Sequence, residues 1–131
     1  MQARIDQELE LLRRYYPSLK YNPEGQWVLV PCYPLPTGWN REVTDVAFQI
    51  HVAYPGNPPY GIYVPVGIRF QSTLPNNYKE PADVQLPFEG KWGIFSWAPD
   101  DGQWRATGDL VSGSNLLNWV RGFIKRFEEG I

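Results

Sequence analysis

Apolar and polar positions alternate most cleanly at residues 43–53. Val46, Phe48, Ile50 and Val52 interleave there with Asp45, Ala47, Gln49 and His51. That period of two predicts an antiparallel strand with one buried face and one wet face. Upstream, Ile5, Leu9, Leu12 and Tyr16 recur at helical spacing, with Arg4, Glu8, Glu10, Arg13 and Arg14 around the rest of the wheel. A helix is predicted over 2–15, stopped by Pro17, because proline disfavours the helical conformation in the residue before it. Near the other end, Leu116, Val120, Phe123, Ile124 and Phe127 share one helical face. A second helix is predicted over about 114–128, with Ser114 as its N-cap and Arg121, Lys125 and Arg126 off the apolar face or near the C-terminus.

Between the helices the pattern is strand-like and broken by turns. Asn22-Pro23-Glu24-Gly25 reads as a hairpin turn between strands at 19–21 and 27–30, with Gly25 free to take positive φ. Residues 31–42 are extended but interrupted by proline, which places them on an edge or in a loop. Residues 54–61 form a turn. Residues 62–70 form a strand kinked at Pro65 and Gly67. Residues 71–91 have no period and read as a long loop, 92–99 are aromatic and extended, and Asp100-Asp101-Gly102 turns the chain. Strands flanked by helices argue an α+β fold with the helices on one face of a meander sheet.

Composition narrows the function. The chain has 131 residues and no internal repeat or linker, so it is read as one domain over 1–131. Its net charge is −2, which leaves no basic field for a nucleic-acid backbone. No apolar run reaches the roughly 18 residues of a membrane span, and no signal peptide opens the chain, so a cytoplasmic protein is expected. Proline and glycine are abundant, 13 and 12 residues, but they fall between strand-like runs and act as turn punctuation.

There is one cysteine and one histidine, so neither a disulfide framework nor a Cys/His zinc site can form within a monomer. No metal or other cofactor is expected. Cys32 is the weak catalytic candidate, but it follows Pro31 and has no basic neighbour in sequence to activate it. A Cys32–His51 dyad lacks a third orienting group. Asp100 and Asp101 suit a turn better than paired acid–base chemistry. The stretch containing Gly108, Asp109, Ser112, Gly113 and Ser114 offers backbone N–H groups ahead of the second helix, without phosphate-loop spacing.

Four segments carry a family resemblance. Tyr54-Pro55-Gly56-Asn57-Pro58-Pro59, set between two strands, resembles the Tyr-Pro-x-x-Pro-Pro turn of ubiquitin-conjugating enzymes. Leu35-Pro36-Thr37-Gly38-Trp39-Asn40 leading to Thr44-Asp45 is similar to the approach to the third strand in a bacterial branch of that superfamily, prokaryotic family E. Gly90-Lys91-Trp92-Gly93-Ile94-Phe95-Ser96 and Trp104-Arg105-Ala106-Thr107-Gly108-Asp109 resemble its block before the last helix. The resemblance covers roughly residues 5–127. It implies a single UBC-like domain with an N-terminal helix, a four-stranded antiparallel meander, a long loop and a C-terminal helix.

The departures are specific. Conjugating enzymes carry His-Pro-Asn after the fourth strand and a catalytic cysteine several residues on. Here Leu74-Pro75-Asn76 holds leucine in the histidine's place, and residues 71–99 contain no cysteine. The resemblance therefore implies a non-catalytic protein that binds a ubiquitin-like protein or an activating enzyme in a bacterial conjugation pathway, of the kind proposed in antiviral defence against phage. Expected binding surfaces are the polar sheet face with Gln49 and His51, or a rim of aromatic anchors at Trp92, Phe95 and Trp97. The alternatives are an active conjugating enzyme using Cys32, an ester-forming variant using Ser96, and an adaptor with no modifier pathway.

Overall fold

The N-terminal helix forms where the periodicity places it. The structure, a computed structural model, describes residues 2–50, 54, 59–75, 77–96 and 115–129. Helix α1 spans Gln2–Tyr15 and buries Ile5, Leu9 and Leu12. Helix α2 spans Leu116–Glu129 and buries Leu116, Leu117, Trp119, Val120, Phe123 and Phe127. Its N-cap is Asn115, not Ser114, which lies outside the described residues. The Asn118 N–H donates to Asn115 Oδ1 at 2.8 Å, and the Asn115 N–H donates to Asn118 Oδ1 at 3.0 Å. This is a capping box closed by two asparagines.

The fold class is α+β, and among the described residues the sheet has six strands where the sequence pattern predicts four. These are β1 (Lys20–Asn22), β2 (Trp27–Pro34), β3 (Val43–Gln49), β4 (Ile62–Pro65), β5 (Tyr78–Lys79) and β6 (Trp92–Phe95). Their order is β1-β2-β3-β4-β6-β5, with every neighbouring pair antiparallel. The first four strands follow chain order. The chain then leaves β4, forms the outer strand β5 inside the segment that reads as a loop, and returns between β4 and β5 as β6. The strand expected over 62–70 ends at Pro65, and among the described residues Phe70 pairs in isolated bridges to Trp39 and Thr73.

Prolines 31 and 34 sit within β2, a strand with neighbours on both sides. The arrangement works because β1 pairs only with residues 27, 28 and 29 of β2. Beyond them, among the described residues, β2 is paired on one side alone, so its prolines cost no ladder bond on the other edge.

Both helices pack on one face of the sheet. The main core joins Ile5, Leu9 and Leu12 to Val28, Val30, Val46, Phe48, Ile62, Val64 and the apolar stripe of α2. The opposite face was expected to be wet. Gln49 is indeed exposed there, but Ala47 is fully buried, because residues 80–91 cross this face. Leu86 and Phe88 pack with Trp27, Leu29, Ala47, Tyr63 and Trp92 into a second, smaller core.

Candidate functional site

Cys32 lies on a β-bulge. The register of β2 against β3 shifts between Val30 and Tyr33, so that Pro31 and Cys32 together face Asp45. Cys32 adopts φ of 55°, a left-handed conformation that costs a non-glycine residue roughly 1–2 kcal/mol. Its backbone N–H donates to Asp45 Oδ1 at 3.1 Å, and the residue is exposed. The extra residue re-aims the strand. Val30 and Tyr33, three positions apart, both point into the helix-side core.

Tyr33 uses that position to enter the hydrogen-bond ladder of α2. Its hydroxyl donates to the Val120 carbonyl at 2.6 Å and accepts the Ile124 N–H at 3.1 Å. These are the two groups that an α-helix would pair directly. Burial, with Tyr16 adding to it, pushes the phenol well above its ordinary range, so it stays a donor. Trp39, from the segment after β2, donates its indole N–H to the Phe127 carbonyl at 2.9 Å and satisfies an acceptor in the last turn of the helix.

A second polar cluster holds the loops at the far end of β4. Glu80 accepts from Arg69 Nη2 at 2.7 Å, from the Gly67 N–H at 2.8 Å and from the Tyr78 hydroxyl at 2.7 Å. The Arg69 hydrogen bond first, then those of Gly67 and Tyr78, hold its carboxyl down at about 2. Arg41 donates to the Pro65 carbonyl at 3.0 Å and the Val66 carbonyl at 2.7 Å, and burial lowers its pKa. Asn40 accepts the Arg69 N–H and donates to the Gly67 carbonyl. An open groove of about 370 Å³ is lined by residues 35–42, but the polar atoms of Asn40 and Arg41 are consumed by these loop contacts.

The third cluster was missed from sequence. Glu8 is 1% exposed and sits among the apolar residues of α1. It pairs with Arg4 Nε at 2.6 Å, accepts the Tyr54 hydroxyl at 2.6 and 2.7 Å, and accepts the Leu116 N–H at 2.6 Å. A carboxylate at a helix N-terminus is favoured by the dipole. Glu8 thus fills the end of α2 that looked available to an anion. The signal was present: Ile5, Glu8, Leu9 and Leu12 share one helical face, and a charge on that face needs partners.

The sequence-derived candidates do not converge. Cys32 is on β2, and β3 and β4 stand between it and β6, a span of three strand spacings or roughly 14 Å. Trp92 is 7% exposed and belongs to the smaller core, while Phe95 is fully buried in the main one. Neither ring is a surface anchor, because residues 80–91 over one sheet face and the helices over the other cover them. Gln49 is exposed, and its Nε2 donates to the Gly25 carbonyl at 2.8 Å, closing the β1–β2 turn. His51 and Trp97 lie outside the described residues, as do Asp100, Asp101 and the stretch 108–114. Leu74 is exposed, Pro75 is buried, and Asn76 lies outside the described residues. Ser96 is exposed, and its N–H donates to the Asn77 carbonyl at 2.8 Å.

Both well-placed carboxylates, Glu8 and Glu80, are occupied by structural hydrogen bonds. Among the described residues no group of three or more His, Cys, Asp or Glu side chains could hold a metal ion. Among them, too, no helix is long and apolar enough to cross a membrane. No family model, curated protein or solved structure matches the chain.

Proposed function

We propose that this protein is a cytoplasmic ubiquitin-conjugating-enzyme-like domain of bacterial type. It works without forming a thioester, by holding a ubiquitin-like protein or its activating enzyme in a conjugation pathway that serves antiviral defence. The sequence resemblance motivates the pathway. The element order, a helix followed by sequential antiparallel strands and a closing helix, supports the comparison. The single observation that carries the non-catalytic reading is the position of the thiol. Residues 71–99 contain no cysteine, and the one cysteine is on the β2 bulge, separated from β6 by two strands.

The test is reconstitution with a ubiquitin-like protein and an activating enzyme from the same organism. The expected result is a stable complex with one of them and no reducible adduct. Absence of any complex overturns the reading.

The exposure of Cys32 favours one competing reading, an active enzyme that carries the modifier on this thiol. That reading requires a reductant-sensitive adduct in the same mixture, lost in Cys32→Ala.

A further inference from the structure

We propose that residues 82–91 form a strap that lifts from the sheet while the rest of the fold stays closed. The face beneath it then takes a peptide segment of the same chemistry, an aliphatic residue and an aromatic residue two positions apart, from another chain. This inference is independent of the conjugation reading and rests on how the strap is fastened.

The strap is tied at its ends. The Ala82 N–H donates to the Trp92 carbonyl at 2.8 Å, and the Val66 N–H donates to the Lys91 carbonyl at 3.0 Å. The Lys79–Asp83 ion pair beside it is exposed and adds little. Among the described residues, the hydrogen bond made by the interior of the strap is a long one, from Trp92 Nε1 to the Phe88 carbonyl at 3.4 Å. Two side chains do the remaining work. Leu86 is 6% exposed and Phe88 is half-buried, whereas Asp83, Val84, Gln85, Pro87, Glu89 and Gly90 face solvent.

The face under the strap is unlike ordinary surface. Trp27 and Tyr63 meet edge to face at 5.3 Å, with Leu29, Ala47 and Trp92 beside them. Once uncovered, an apolar patch bearing three rings is the kind of surface that marks an interaction site. The strands that carry it are held by their own ladders and by the helix-side core, so lifting the strap opens the smaller core and leaves those ladders and the main core in place. Regions with few buried apolar contacts and few hydrogen bonds open below the global unfolding limit. The face already accepts Leu86 and Phe88, two positions apart, which defines the chemistry of its external occupant.

The experiment places a thiol under each face of β3 in a Cys32→Ser background. Ala47→Cys reports on the strap side, and Val46→Cys on the helix side. Both native residues are fully buried. A thiol reagent is expected to label position 47 at least ~10-fold faster than position 46, with weak dependence on denaturant, as sub-global opening requires. In the Ala47→Cys chain that also carries Leu86→Ala and Phe88→Ala, a peptide copying residues 84–90 at millimolar concentration slows labelling. The same peptide with both apolar residues replaced by alanine does not. Equal labelling of the two positions, with equal denaturant dependence, overturns the strap, and failure of the peptide to protect overturns the occupant. The unaltered chain gives a second measurement should a variant not fold: the Trp92 indole N–H exchanges with solvent before that of Trp39, and simultaneous exchange overturns the strap.

Discussion

The Tyr54 hydroxyl donates to both carboxylate oxygens of Glu8, at 2.6 and 2.7 Å, across 46 residues of chain. The same carboxylate accepts the first N–H of α2. One side chain therefore ties the N-terminal helix, the segment after β3 and the C-terminal helix together. Burial and the Glu8 carboxylate push the Tyr54 phenol far above its ordinary range, so the tyrosine remains the donor.

Replacing Glu8 tests this junction. Glu8→Ala strips the Tyr54 hydroxyl and the Leu116 N–H of an acceptor and removes the carboxylate beside Arg4. The expected loss is about 3–5 kcal/mol, the range for breaking a buried ion pair from one side. Glu8→Gln keeps an acceptor oxygen and costs less, about 1–3 kcal/mol. Urea unfolding of the three chains measures both. A loss within experimental error for Glu8→Ala would remove the junction from the account of stability.

Tyr33 makes a different demand on α2. Its hydroxyl stands between the Val120 carbonyl and the Ile124 N–H. Tyr33→Phe removes the hydroxyl from both groups and leaves them to the helix's own ladder. The expected cost is about 1–3 kcal/mol, the penalty for orphaning buried polar groups. Amide exchange at Ile124 separates the two outcomes. Faster exchange means that the Tyr33 hydroxyl is the acceptor that protects this N–H, and retained protection means that the helix supplies one of its own.

The elements legible in the sequence are those set by local pattern. Ile5, Leu9 and Leu12 gave α1 its bounds, Val46 and Phe48 gave β3 its inward face, and Gly25, at φ of 82°, gave the hairpin its turn. What stayed hidden depends on partners far along the chain. Pro31 argued against a strand because the shortness of β1 and the bulge at Cys32 are visible only once β2 and β3 pair. Tyr78–Lys79 is a strand of two residues, below the length at which alternation exists. The Glu80 cluster draws on Gly67, Arg69 and Tyr78, and no spacing encodes it. Trp92 and Phe95 read as possible anchors because composition cannot tell a covered ring from an exposed one. The strap that covers Trp92 is itself a segment without period.

Glu80 should make stability depend on acid in a defined window. Its carboxyl titrates at about 2 in the folded chain, against an ordinary value of 4.5, chiefly through the Arg69 hydrogen bond. The unfolded chain therefore binds more protons between those values, and stability rises with pH across them. The contribution is full above about 4.5 and is lost as pH falls toward about 2. Comparing wild type with Glu80→Gln over that range, the wild-type advantage should shrink steadily as pH falls. A constant difference would separate the carboxylate's charge from its structural role.

Gly93 connects this carboxylate to the core. It lies opposite Val64 in the sheet, and the Tyr78 ring occupies the space where a Cβ would project. Alanine at this position overlaps the ring and the phenol oxygen, so Tyr78 must move, and its hydrogen bond to Glu80 is lost with it. Gly93→Ala should destabilise by about 1–3 kcal/mol, as overpacking of a filled core does. The distinguishing measurement is a double-mutant cycle with Glu80→Gln. If Tyr78 carries the strain, the two substitutions share part of their cost, and the acid dependence assigned to Glu80 weakens in Gly93→Ala alone. Strict additivity, with an unchanged acid profile, would mean that the ring moves aside without releasing the carboxylate.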